Sequence, residues 1–189
     1  LNPTRGSHIK WTVKPFAGSF TKSFTALAQT LGGSFFYAPL KDNDGGKRDN
    51  LVLAARVEGG SLIGADLSLL PTTMRYFTGG AGSVRGYTYQ SIGPVDHKDE
   101  PEGGRSYQLV NLEARYKITK DVGLVPFVDG GMVYKDVLPQ IIGDMRWGGG
   151  LGLRYYTPIG PLRFDVATPF NPIEGDPPVQ IYISIGQTF

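Results

Sequence analysis

Side chains along this chain change character at every second residue, and that period constrains its fold more than any other feature. Residues 107–118 (YQLVNLEARYKI) put Val110, Leu112, Ala114, Tyr116 and Ile118 on one face and Asn111, Glu113, Arg115 and Lys117 on the other. Residues 50–58 set Leu51, Leu53, Ala55 and Val57 against Arg56 and Glu58. Residues 179–189 set Val179, Ile181, Ile183, Ile185 and Phe189 against Gln180, Tyr182, Ser184 and Thr188. The same split runs through 8–15, 161–167 and 146–157, less cleanly through 122–134, and least of all through 23–38. Such alternation marks strands whose two faces meet different surroundings. An all-β chain of about eight antiparallel strands, roughly ten residues each, is predicted.

An apolar face opposite a charged one has two physical readings. In a soluble sandwich the apolar faces pack together and the polar faces meet water. In a membrane barrel the apolar face meets lipid and the polar face lines a wet lumen. Three features favour the barrel. The strands have the roughly 9–11 residues that cross a bilayer at a tilt. Trp11, Tyr37, Tyr107, Tyr134, Trp147 and Phe189 sit near strand ends, where aromatic girdles lie. The turns alternate between tight joins, at 119–121 and at Ile159-Gly160-Pro161, and longer polar or glycine-rich stretches at 39–49, 59–106 and 135–145.

Composition narrows the function. A net charge of +2, with Lys and Arg spread along the chain, argues against a nucleic-acid partner. The absence of cysteine excludes a disulfide framework and thiolate metal sites. No apolar run approaches the roughly 20 residues of a membrane helix. The chain opens at Leu1 with no signal peptide, so a mature or excised fragment is expected. GGAG at 79–82 resembles a phosphate loop, but no Lys-Ser/Thr follows it, and a flexible loop base is the better reading. The two histidines, His8 and His97, are far apart. His97 lies among Asp96, Asp99, Glu100 and Glu102 in what reads as a solvated loop. No nucleophile with a base and an orienting acid emerges, so no enzyme, cofactor or metal is expected.

Three motifs stand in order between Arg75 and Tyr134: RYFTGGAGSVRGY at 75–87, NLEARYKIT at 111–119 and VPFVDGGMVY at 125–134. Together they resemble the bacterial surface antigen superfamily of outer-membrane assembly and translocation barrels, whose branches include BamA, TamA and the two-partner secretion transporters. Val84-Arg85-Gly86-Tyr87 matches that superfamily's hallmark tetrapeptide. NPTRG at 2–6 is similar to the start of a mid-barrel strand, TPIGPLRFDVATPF at 157–170 resembles TamA most closely, and a final Phe is the usual end of such barrels.

The resemblance implies that residues 1–189 are the C-terminal half of a sixteen-stranded barrel. The long loop at about 59–106 would insert into the lumen, and the POTRA domains and the first eight strands would lie outside this chain. It further implies that Arg85 folds back into the lumen to pair with Asp129, with Phe127 beside the guanidinium and Glu113 as a second wall acid. Arginine suits that role because its planar fork holds a carboxylate in two places and stacks on an aromatic ring. Gly86 would allow a sharp turn, and Gly130 and Gly131 a close approach of loop to wall. Ile183, Ile185 and Phe189, all on the expected lipid face, would form a C-terminal insertion signal.

The function so implied is non-enzymatic insertion or export of outer-membrane or secreted proteins in the bacterial outer membrane. Membrane lipid and those client proteins would be the partners, with an inner-membrane-anchored partner reached through the N-terminal domains. The rivals are a two-partner secretion transporter, a stand-alone structural barrel of eight strands, and a soluble β-sandwich binding module.

Overall fold

In the computed structural model of this chain, residues 2–19, 23–40, 49–140, 144–158 and 160–189 are described. Eight strands form one antiparallel sheet in which every neighbour in space is a neighbour in sequence. They are β1 (Gly6–Ser19), β2 (Ser23–Tyr37), β3 (Leu51–Ile63), β4 (Ser106–Lys117), β5 (Val122–Tyr134), β6 (Arg146–Thr157), β7 (Gly160–Pro169) and β8 (Gln180–Ile185). Helical structure among the described residues amounts to two three-residue 3-10 turns, at Leu67–Leu69 and Thr72–Met74. The order ends at β1 and β8, which do not pair with each other, so the sheet is open.

The alternation read from the sequence sorts the faces. Ile9, Trp11, Leu31, Phe35, Val57, Leu112, Leu151, Leu153, Ile181, Ile183 and Ile185 all stand exposed on one face. Burying that much apolar surface in water would need a second layer, and none of the described residues supplies one. Lipid is the medium in which such a face is stable. The opposite, lumen face carries the charged residues and is covered by the loop between β3 and β4. Three apolar clusters seat the loop and the strand ends there. Phe24, Ala26 and Leu62 meet Ala65 and Leu70 of the loop. Leu109, Tyr107 and Val133 meet Val84, Tyr87 and Ile92. Phe36, Ala38, Val52 and Ala54 take up Phe189.

The structure moves several expected boundaries. β3 continues to Ile63, so the long loop is 64–105 rather than 59–106. Gly59 and Gly60, read as the loop's beginning, are paired with Gln108 and Tyr107 in the sheet. Gly60 is needed there, because a Cβ would come within 3.0 Å of the Tyr76 ring and closer still to Tyr107. The join between β2 and β3 lies at the same end of the sheet as the tight 118–121 turn, because strand directions alternate. The long 39–49 stretch therefore breaks the expected segregation of long and short joins. Its residues 41–48 lie outside the described set, as do 141–143 of the 135–145 loop and residue 159 of the tight 159–161 turn.

Two of the expected girdle aromatics turn inward. Tyr107 lies on the lumen face and donates a hydrogen bond to Glu58. Phe189 is not on the lipid face: β8 ends at Ile185, and Gly186 follows at a φ of +99°. Extended parity stops at that left-handed glycine, and the last three residues cross the lumen face. There the Phe189 ring lies 6.1 Å from Phe36 and 5.1 Å from the Arg115 guanidinium.

Candidate functional site

The loop descends to the lumen wall at residues 83–87, where the polar faces of β4, β5 and β7 converge. Arg85 is completely buried. Its Nε donates to Asp129 Oδ2 at 2.6 Å and its Nη2 to Asp129 Oδ1 at 2.9 Å, a two-pronged grip. The Arg85 backbone N–H adds a third bond to Asp129 Oδ2 at 3.1 Å. Nη2 also lies 3.0 Å from Glu113 Oε1, and Nη1 donates to Asp165 Oδ2 at 3.1 Å. The guanidinium carbon stands 3.4 Å from the centre of the Phe127 ring. Burial alone would lower the Arg85 pKa, but Asp129, with Glu113 and Asp165 behind it, raises it above the ordinary arginine value. A guanidinium so enclosed stays charged and is held as an ion.

The rest of the tetrapeptide is equally fixed. Val84 and Tyr87 are buried in the cluster with Leu109 and Val133. Gly86 takes a φ of +102°, and a Cβ there would approach the Thr168 carbonyl to 2.8 Å. Its N–H donates to the Tyr182 hydroxyl at 3.0 Å, and that hydroxyl donates to the Tyr87 carbonyl at 3.0 Å. The Tyr87 hydroxyl reaches the Trp147 carbonyl at 3.0 Å and Asn171 Oδ1 at 2.9 Å, and burial raises its pKa. Arg85 is therefore no solvated loop charge.

The structure thus brings together Val84, Arg85, Gly86, Tyr87, Glu113, Phe127, Asp129 and Gly131. At Gly131 a Cβ would come within 2.8 Å of Val84 Cγ2, so this glycine does admit the loop. Gly130 does not. It points to the lipid face, where the Trp147 ring covers it at 2.7 Å from a would-be Cβ, as aromatic cover of a strand glycine does. Ile183 and Ile185 stand on the lipid face, apart from this cluster, and Phe189 lies on the lumen side.

Sequence reasoning missed part of the site. Asn111 donates to Asp129 Oδ1 at 2.8 Å and to the Ser83 carbonyl at 2.7 Å, tying acid and loop together. Asp165 is completely buried and also takes contacts from Arg154 and Arg163. Glu113 is shared with Arg115 at 2.9 Å. On β6 the lumen-facing glycines form a socket. A Cβ at Gly148 would overlap the Arg85 carbonyl, and one at Gly150 would meet the Phe127 ring at 2.9 Å. The available signal was parity: Arg163 and Asp165 alternate with Leu162, Phe164 and Val166, and the glycines at 148, 150 and 152 share one face.

Comparison with known proteins gives a consistent picture. The chain matches the Omp85 superfamily domain over residues 1–189. It is 31% identical over 180 residues to the outer membrane protein assembly factor BamA of Nitratidesulfovibrio vulgaris, covering 87% of this chain and 23% of that relative. It shares its fold with the crystal structure of BamA from Haemophilus ducreyi lacking POTRA domains 1-3, at a TM-score of 0.67 and 21% identity. That match covers 95% of this chain and 38% of the other. The chain therefore spans well under half the length of either protein.

Proposed function

This chain belongs to the Omp85 superfamily, and from that premise we propose that it supplies the C-terminal half of a barrel that inserts other proteins into the outer membrane. It is an antiparallel β-barrel segment of the bacterial outer membrane. The observation that carries the functional reading is the loop clamped to the lumen wall. Arg85 joins β4, β5 and β7 through Glu113, Asp129 and Asp165, and Tyr182 extends the clamp to β8, the last strand. β8 pairs with β7 over only six residues, Gln180–Ile185, and in the full barrel it would form one side of a weak seam with the first strand, outside this chain, whose opening would leave its edge unpaired. An unpaired edge is a template for strand addition. In this reading a client strand adds there while the clamped loop holds the wall in shape, and no bond-making chemistry is involved.

Client outer-membrane proteins and the surrounding lipid are the proposed partners, with an inner-membrane-anchored partner engaged by domains outside this chain. The segment 157–170 supports a TamA-type barrel as the finer assignment. Ile183 and Ile185, with Phe189 before the tail folds inward, are the proposed insertion signal of the chain itself. The full-length protein reconstituted in lipid vesicles should accelerate insertion of an unfolded outer-membrane barrel over empty vesicles. Equal insertion rates with and without it would refute the assembly role, and selective export of one soluble client would favour a secretion transporter instead.

A further inference from the structure

Every strand pairing of the sheet runs without a break except that of β4 with β5. Its pairs run from Ser106–Tyr134 to Glu113–Phe127, skip Ala114 and Arg115, and resume in the same register at Tyr116–Leu124. The cause is Pro126. The Ile118 N–H donates to the Val122 carbonyl, and backbone groups change sides at every residue, so the even-numbered residues of β4 and β5 turn theirs toward each other. Ala114 and Pro126 are thereby opposed as a hydrogen-bonding pair, and proline has no N–H to give the Ala114 carbonyl. The other strand prolines, Pro15, Pro161 and Pro169, leave their ladders unbroken. In lipid no water replaces a missing backbone bond, so the gap is a weak line in the middle of the sheet.

The gap adjoins the clamp. Glu113 and Phe127, the last pair before it, both contact Arg85. On the tight-turn side only Tyr116–Leu124 and Lys117–Gly123 remain before the chain reverses. A dent of about 380 Å³ lies over the gap on the lipid face, lined by Phe35, Leu53, Ala55, Leu112, Ala114 and Pro126. The two alanines leave the strands room to shift there, which a close-packed wall does not offer.

We propose that the Ala114–Pro126 gap is a hinge. At it β4 and β5 splay on the tight-turn side while the Arg85 clamp holds them together on the loop side. Adding a strand to a barrel changes the curvature of its wall, and a wall with every ladder bond made resists that change. The missing bond lets the wall bend beside the clamp and leaves Arg85, Asp129 and Phe127 in place. The hinge itself follows from register and chemistry; its use in taking up client strands rests on the assembly function.

Two variants of the full-length protein test it. Pro126→Val restores the N–H, and amide exchange at Ala114, Tyr116 and Leu124 should slow about fivefold, the size of one hydrogen bond, with β1 and β2 unchanged. Tyr116→Cys with Leu124→Cys sets a disulfide across the splaying pair, in a chain with no cysteine of its own. Oxidation should slow its insertion of an unfolded outer-membrane barrel into vesicles by a factor of about three, and reductant should restore the rate. Leu112→Cys with Val128→Cys, a crosslink on the loop side of the gap, should insert clients equally well oxidised and reduced. Exchange no slower in Pro126→Val than in the unsubstituted protein would overturn the hinge. Equal rates for oxidised and reduced Tyr116→Cys/Leu124→Cys protein, or equal slowing by both crosslinks, would overturn its role. An unsubstituted protein that does not speed insertion would instead refute the assembly reading, and the exchange result alone would then decide the hinge.

Discussion

The Tyr182 hydroxyl of the last strand accepts the Gly86 N–H at 3.0 Å and donates to the Tyr87 carbonyl at 3.0 Å, stitching the sheet's edge to its inserted loop. Both loop groups lie in the lumen, with few other partners at hand. Tyr182→Phe leaves them unpaired, at about 1–3 kcal/mol. Hydrogen exchange in 180–185 and 86–88 should quicken in this variant while β1 and β2 keep their protection. Unchanged exchange in β8 would show that the edge is held without the loop.

Gly148 should tolerate no side chain, because a Cβ there overlaps the Arg85 carbonyl. Gly148→Ala is expected to push the loop off the wall, with an overpacking cost of about 1–3 kcal/mol. Protease cleavage within 88–102 should rise. Gly82→Ala is the matched control, since nothing lies within 4 Å of its would-be Cβ. Equal cleavage of the two variants would refute the socket.

Much of this was legible in the sequence, and the limits are physical. Period-two parity assigned lipid and lumen faces correctly wherever the backbone stayed extended, as in Leu112 against Glu113. It failed at Phe189, because one left-handed glycine, Gly186, ends the parity it relies on. Composition misplaced Gly59 and Gly60, reading as loop a stretch where the rings of Tyr107 and Tyr76 require glycine at position 60 of a strand. The tetrapeptide and the Phe127–Asp129 motif pointed to the same loop–wall contact that the structure displays. Asp165 and Tyr182 could not be joined to Arg85 from sequence. They lie 80 and 97 positions away, and only strand register brings them to the same place.

Phe189 packs against Phe36 and Arg115 after folding, while its place in an extended tail suits recognition beforehand. In the full-length protein, Phe189→Ser should slow membrane insertion more than Gln187→Ser. It should also lower stability by about 1–2 kcal/mol through the lost ring contacts. Matching insertion rates and melting points for the two variants would contradict both roles.

Strand direction puts the 64–105 loop and the 118–121 turn at opposite ends of the sheet. Long loops of outer-membrane barrels face outward and short turns face the periplasm. Cysteines introduced as Asp99→Cys and Lys120→Cys should therefore label differently in intact cells, the first reacting with an impermeant reagent and the second protected. Equal labelling would reverse or abolish this topology.

The central claim is that the Arg85–Asp129 ion pair holds the loop in the lumen. Both side chains are completely shielded from solvent, so loss of one partner should cost about 3–5 kcal/mol. Arg85→Lys should recover only part of this, because lysine keeps the charge but loses the fork and the stacking on Phe127. The most direct measurement is a double-mutant cycle with Arg85→Ala and Asp129→Ala in the full-length protein, read by barrel unfolding and by cleavage of the loop. The account predicts a coupling of about 2–3 kcal/mol, with single variants that release the loop as fully as the double variant. A coupling indistinguishable from zero, with the loop still protected in Arg85→Ala, would contradict it.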